Sequence, residues 1–206
     1  DAYMNRQSLD PALLGRYPEE LREVFGEAWP DWPAAEVEAL KVPVDFLGLN
    51  YYTRAVVRHD AKAWPVPAAP QRQPGGIYTE TGWELHPQSL ADTLVWLHER
   101  YGGVPLYVTE NGAAFYDPPA AIDGCVDDPL RVHYLRTHIG AVRDAIARGA
   151  DVRGYCAWSL FDNLEWALGF AKRFGLVHVD FQTLARTPKA SARFYADVIA
   201  AHGANL

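Results

Sequence analysis

The sequence predicts an α/β fold built on a parallel sheet, and two observations carry that expectation. Short, almost wholly apolar runs alternate with longer stretches of helical periodicity, and the polar residues able to do chemistry gather just past the ends of the apolar runs. Runs this apolar suit strands covered on both faces. Their alternation with helices implies parallel strands joined by right-handed crossovers.

The elements follow in order. Asp10-Pro11 and Tyr17-Pro18 mark two short helical starts. Val44–Asn50 (VDFLGLN) is the first strand. Arg54–Gly82 is a long connection containing prolines, with Gly75-Gly76 near its end; loops of that length are lids or disordered segments. Gln88–Tyr101 is a helix with Leu90, Leu94, Leu97 and Tyr101 on one face, halted by Gly102-Gly103. Leu106–Thr109 (LYVT) is the second strand. The next helix opens on Asp128 as side-chain N-cap with Pro129 at its first position. It turns Tyr134, Ile139, Val142 and Ile146 inward and ends at Gly149. Asp151–Leu160 is the third strand. A last helix opens at Thr187-Pro188 and buries Ala192, Tyr195, Val198 and Ile199.

Composition narrows the function. The 206 residues are 49% apolar and 22% charged, enough for one domain with a sizeable core. A net charge of −7 argues against nucleic acid, which needs a basic face. No run approaches the ~18 consecutive apolar residues of a membrane span. Two cysteines are too few for a disulfide framework and fit a reducing compartment, so a cytoplasmic protein is expected. The seven histidines show no metal spacing, since H-E-x-x-H is missing and His133 and His138 are off a common helical face. No metal or other cofactor is expected. Seven tryptophans, with Trp158 and Trp166 beside polar residues, point weakly to carbohydrate, because aromatic faces stack on the C–H faces of sugars.

The strand ends hold the candidate site. The first runs into Asn50, Tyr51, Tyr52 and Thr53, the second into Glu110, Asn111 and Gly112, the third into Trp158, Ser159, Asp162, Asn163, Glu165 and Trp166. Sites in parallel α/β sheets and barrels form at the C-terminal ends of strands.

Three segments carry a family likeness: DFLGLNYYT (Asp45–Thr53), PLYVTENGAA (Pro105–Ala114) and the stretch from Arg153 to Ala192. They resemble family 1 glycoside hydrolases, in order and at the family's spacing. The resemblance implies a partial (β/α)8 TIM barrel, with these strands as its sixth to eighth together with their helices. Residues 1–206 are then the C-terminal half of a single barrel domain. It also implies a retaining β-glucosidase acting on a β-glucoside or short β-linked oligosaccharide. In this mechanism one carboxylate attacks the anomeric carbon and a second carboxylic acid roughly 5–5.5 Å away protonates the leaving oxygen. Glu110, in T-E-N-G, matches the nucleophile, although a glutamate after a strand elsewhere serves as a salt-bridge or cap residue. Tyr52 is expected to donate its hydroxyl to Glu110 and Asn50 to line the sugar site. Glu165 and Trp166 match the pair that reads sugar hydroxyls, Trp158 the platform beneath the ring, and Phe174 in K-R-F-G a further contact. Lys172 and Arg173 are expected to pair with acids at the barrel mouth, and Tyr78 and Trp83 to shape the aglycone entrance. A cis peptide between Trp158 and Ser159 is implied as well.

One family element is missing. The general acid of the family lies in an N-E-P motif, and these residues contain none. Asp1–Arg16 reads as the middle of a longer chain, so the N-terminal half of the barrel is expected as a partner. Two alternatives remain: a non-catalytic sugar-binding fragment or pseudoenzyme subunit, and a 6-phospho-β-glycosidase. Glu165 disfavours the second, because a carboxylate facing O6 repels a phosphate.

Overall fold

The structure is a computed structural model that describes residues 1–117 and 124–206. Along the chain run helices α1 (Leu9–Leu14), α2 (Glu20–Phe25) and α3 (Ala34–Glu38), then strands β1 (Leu47–Asn50), β2 (Val57–His59) and β3 (Ala68–Pro70). Helix α4 (Pro87–Arg100), strand β4 (Leu106–Asn111), helix α5 (Pro129–Ala147) and strand β5 (Val152–Ala157) follow. Strands β6 (Val177–Val179) and β7 (Arg186–Pro188) and helix α6 (Ala190–Ala200) come last. These elements form two compact units, Asp1–Asp45 with Ala55–Pro74, and Phe46–Arg54 with Gly75–Leu206.

The first unit holds α1 to α3 and the antiparallel pair of β2 and β3. Arg6 ties its start together, reaching Asp10 at 3.7 Å and Glu20 at 2.5 Å. Tyr17 stacks on Trp32 with centroids 4.8 Å apart, and Trp29 meets both edge-on. The β2–β3 pair corrects the expectation for Arg54–Gly82. That connection carries regular structure, but strands of three residues are too short for a readable alternation.

In the second unit the strands lie in the order β1-β4-β5, each pair parallel. Consecutive strands are therefore neighbours, with helices in the connections as expected. Helix α4 packs on α5 and α5 on α6. The predicted face of α4 is the buried one: Leu90, Leu94, Leu97 and the following Tyr101 are all nearly inaccessible. Its N-cap is His86, whose ring Nδ1 accepts the Ser89 N–H. Central strand β4 buries Leu106 and Val108 completely.

Four expectations need correction here. Thr187-Pro188 does not open the last helix; it lies in β7, paired with His178 and Val177, and α6 starts at Ala190. Pairing with β6 won over helix propensity, the Pro188 carbonyl accepts from the Val126 N–H, and the ladder resumes with Lys189 N–H on the Leu176 carbonyl, so no proline N–H is needed. Asp128 does precede Pro129 at the start of α5, but its carboxylate does not cap that helix. It accepts instead from the Ser191 N–H (2.8 Å) and O–H (2.5 Å) in the first turn of α6, and from Arg131. Ile146 and Ile199, expected inside, are 50% and 57% exposed. They line an apolar groove with Val142, Tyr155 and Val198, so their helical phase is right while nothing described covers them. Finally, the outer strands are shorter than read: Val44 and Phe46 lie exposed ahead of β1, and Trp158–Leu160 follow β5.

Candidate active site

The ends of β1 and β4 bring together two residues far apart in sequence. Tyr52 Oη donates to Glu110 Oε2 at 2.7 Å. Both line a cleft of about 670 Å³ whose walls also include Asn50, Trp158, Glu165 and Trp166. Six of the seven expected site residues thus face one cavity.

Each is held by its local structure. Tyr52 is flanked by Arg54, which forms a two-pronged ion pair with Glu84 at 2.8 and 3.0 Å. Thr109 Oγ1 donates to Asn50 Oδ1 at 2.7 Å, fixing that amide at the cleft edge. The Trp158 N–H donates to the Asn111 carbonyl at 2.8 Å, so the tryptophan starts from the end of β4 as well as β5. The peptide between Trp158 and Ser159 is cis, as expected. Glu165 and Trp166 sit on a turn closed by two backbone bonds, Glu165 N–H to Gly169 C=O and Leu168 N–H to Glu165 C=O, each 2.8 Å.

That turn is anchored from below by buried charge. Asp162 accepts from Lys189 Nζ (2.9 Å), Arg173 Nη1 (2.8 Å) and the Gly175 N–H (2.9 Å). Lys189, with no exposed surface, also reaches Asp117 at 2.6 Å. Arg131 joins Asp117 (3.1 Å) to Asp128. Three cations face three carboxylates, so the cluster is neutral as a whole, and buried charges are tolerated in this paired form. The expectation that Arg173 pairs with an acid is met by Asp162, and Lys172 lies 3.7 Å from Glu80.

Electrostatics couple the cleft residues. Burial, then the hydrogen bond to Glu110, holds the Tyr52 phenol well above its ordinary pKa, so it stays protonated and able to donate. Burial, then the charge of Glu110, raises the Glu165 carboxyl. Among the described residues no group of three or more His, Cys, Asp or Glu is placed to hold a metal ion, and no helix is long and apolar enough to cross a membrane.

A comparison of the sequence with protein families finds a match over nearly the whole chain. The model of Glycosyl hydrolase family 1 matches residues 1–204. The chain belongs to that family. Its relatives include a bifunctional β-D-glucosidase/β-D-fucosidase of Bifidobacterium breve, 42% identical over 99% of this chain and 48% of that protein. Thermostable β-glucosidase B of Thermobispora bispora is 45% identical over 98% of this chain and 43% of its own length. Among solved structures, a family 1 β-glucosidase from Exiguobacterium antarcticum B7 superposes on the whole chain with a TM-score of 0.89 at 37% identity, covering 46% of that protein. The chain therefore spans a little under half the length of the family 1 relatives it matches.

Within this family 1 site, Phe174 is the residue not brought to the cavity. It is 3% exposed and packs behind the wall, its ring 6.1 Å from Tyr52 and 6.0 Å from Trp83. In this position it backs the wall formed by Tyr52 and Trp83. Trp83, expected to shape the aglycone entrance, lines the cleft, 5.1 Å from the Tyr52 ring. A tight turn sets it there, with Thr79 N–H bonded to Trp83 C=O and Gly82 N–H to Thr79 C=O. Asn163, named at the end of the third strand, also lines the cleft, and Leu164 lines it without having been expected there. Their place between Asp162 and Glu165 in D-N-L-E-W was the available signal. Tyr78 is not among the lining residues.

Proposed function

We propose that this chain supplies the nucleophile and part of the sugar site of a retaining β-glucosidase. The observation that carries the reading is the Tyr52–Glu110 hydrogen bond inside an aromatic-walled cleft. A carboxylate held by a phenol O–H presents one oxygen in a fixed direction, as attack on an anomeric carbon needs. Glu110 attacks and forms a glycosyl ester; Tyr52 orients it. A second carboxylic acid, outside these residues, protonates the leaving oxygen and then activates water. Glu165 accepts from hydroxyls on the O4/O6 side of the sugar, the Trp166 indole N–H donates to another, Trp158 carries the ring's apolar face, and Asn50 contributes from the opposite edge. The substrate class is a terminal β-D-glucoside or short β-linked oligosaccharide. The 42% identical β-glucosidase/β-fucosidase makes tolerance of a missing O6 hydroxyl part of the proposal.

In this reading β1, β4 and β5 are the sixth, seventh and eighth strands of a (β/α)8 barrel, and its N-terminal half is the partner. The 206 residues by themselves do not turn over substrate at an enzymatic rate, since the general acid alone is worth ~10²–10⁴-fold. The test is to combine the chain with a family 1 N-terminal half carrying N-E-P and to assay p-nitrophenyl β-glucoside. Activity should appear with the combined halves, vanish in Glu110→Ala, and return in part with azide or formate, which attack in place of the lost carboxylate. Glu110→Ala retaining more than a few per cent of activity without added anion would overturn the assignment. A kcat within ~1–10³ s⁻¹ from the isolated chain would overturn the need for the other half.

A further inference from the structure

In a regular strand successive side chains alternate between faces, so Glu110 should share the side of Leu106 and Val108. Those two are sealed away, at 1% and 0% exposure, yet Glu110 faces the cleft. The register explains the difference. Strand β1 pairs Leu49 with Val108 and then Asn50 with Glu110, while β5 pairs Val108 with Tyr155 and then Asn111 with Ala157. Strand β4 thus carries one residue more than either neighbour over the same span, at Thr109. This β-bulge moves the alternation by one: Asn111, not Glu110, joins Leu106 and Val108 on the buried side, at 0% exposure.

A bulge interrupts the ladder, so its phase must be held by something else. From the geometry we infer that Asn111 is the positioning residue that holds this bulge and thereby aims Glu110. Its amide nitrogen donates to the Tyr51 carbonyl (2.7 Å) and to Tyr134 Oη (3.0 Å), and its Oδ1 accepts the Tyr155 hydroxyl (2.7 Å). The orientation of the amide is fixed by chemistry, because a carbonyl can only accept. The three partners stand on the three elements around the bulge: the end of β1, helix α5 and strand β5. The backbone takes part too, with Tyr51 N–H bonded to Glu110 C=O at 2.9 Å and Trp158 N–H to Asn111 C=O at 2.8 Å. Aspartate at this position lacks both donors, and glutamine is a methylene too long for a site without free space.

The structural part of this inference stands on the register and the Asn111 hydrogen bonds; its catalytic consequence rests on the reading of Glu110 as nucleophile. Two experiments separate them. The first is crystallographic and needs no activity: structures of Asn111→Asp and Tyr155→Phe. The Tyr52 Oη–Glu110 contact is expected to open beyond the ~3.5 Å limit of a hydrogen bond. Tyr155→Phe deletes one bond and adds no charge, so it decides if Asn111→Asp does not fold; a contact still at 2.7 Å in it overturns the inference. The second uses the combined halves. Asn111→Asp should lower kcat by on the order of 10²-fold, the cost of an ångström-scale misplacement, with little change in KM. In a Glu110→Ala background turning over with azide, where no carboxylate needs aiming, the same substitution should cost less than about twofold. Equal losses in both backgrounds would mean that Asn111 serves the fold in general and would overturn the positioning role.

Discussion

A Cβ on Gly112 would lie 1.8 Å from the carbonyl oxygen of Trp158. The obstructing atom is backbone, so no side-chain rotation relieves it. The glycine of T-E-N-G lets the end of β4 pass directly against the residue proposed to carry the sugar ring. Gly112→Ala should therefore destabilise the chain by at least the ~1–3 kcal/mol typical of overpacking and displace Trp158. Denaturant melts and tryptophan emission would register both. An alanine variant of unchanged stability and emission would show that the two strand ends separate easily.

Lys189 connects two carboxylates below the Glu165–Trp166 turn. Lys189→Met keeps the volume and removes the charge, leaving Asp162 and Asp117 buried beside fewer cations. Breaking a buried pair in this way costs ~3–5 kcal/mol. The midpoint of urea unfolding should fall accordingly, and exchange of the Gly175 and Val179 amides, both bonded to Asp162, should accelerate. A loss below about 1 kcal/mol would mean that Arg173 and Arg131 compensate on their own.

His138 makes the fold sensitive to mild acid. Its ring is stacked 3.8 Å from the Tyr134 ring, bonds the Tyr134 carbonyl through Nδ1, and is pushed down to about 4 by burial. A histidine whose folded pKa is depressed takes up its proton first in the unfolded chain. Stability should then fall as pH drops from ~6.5 towards 4, by about 3 kcal/mol at most. His138→Phe should flatten this window. What slope remains belongs to His178, which burial also pushes down, and to carboxylates such as Asp162, whose pKa its cationic partners hold down despite burial; the carboxylate stability is lost lower, as pH falls through the carboxylate range. A His138→Phe variant with the same slope between pH 6 and 4 would refute the assignment.

Glu165 offers a test of sugar reading in the combined enzyme. Glu165→Gln removes a charged acceptor worth ~1.5–3 kcal/mol, so glucosides should lose roughly ten- to a hundredfold in kcat/KM while substrates lacking the O6 hydroxyl lose much less. Equal losses would rule out an O4/O6 contact. The carboxyl should also titrate lower in Glu110→Gln, because the like charge is gone, without returning to its ordinary value, because burial, the larger cause, persists.

Much of this site was legible in the chain. The family motifs marked Glu110, Tyr52, Glu165, Trp158, Trp166 and Asn50, and the structure gathers all six around one cleft. Phe174 shows the limit. A phenylalanine after Arg173 can touch a ligand or back a wall, and its sequence neighbours are the same in either case. Only the fold shows that it packs beside the rings of Tyr52 and Trp83, 6.1 and 6.0 Å away, outside the cleft lining.

The sequence by itself determined what is local. The spacing of Leu90, Leu94 and Leu97 defines the buried face of α4, Pro129 and Gly149 bracket α5, and three apolar runs mark β1, β4 and β5. Tertiary structure decided what depends on partners distant in sequence. The Asp128 carboxylate went to Ser191, 63 residues away, and to the Arg131 side chain rather than to the backbone N–H groups of its own helix. Thr187-Pro188 became a strand because Val177 and His178 were there to pair with it. Glu110 turned towards the cleft because β1 and β5 both pair past Thr109. Periodicity records which side of an element is apolar, but register and capping are settled by hydrogen-bond partners that only folding brings within 3 Å.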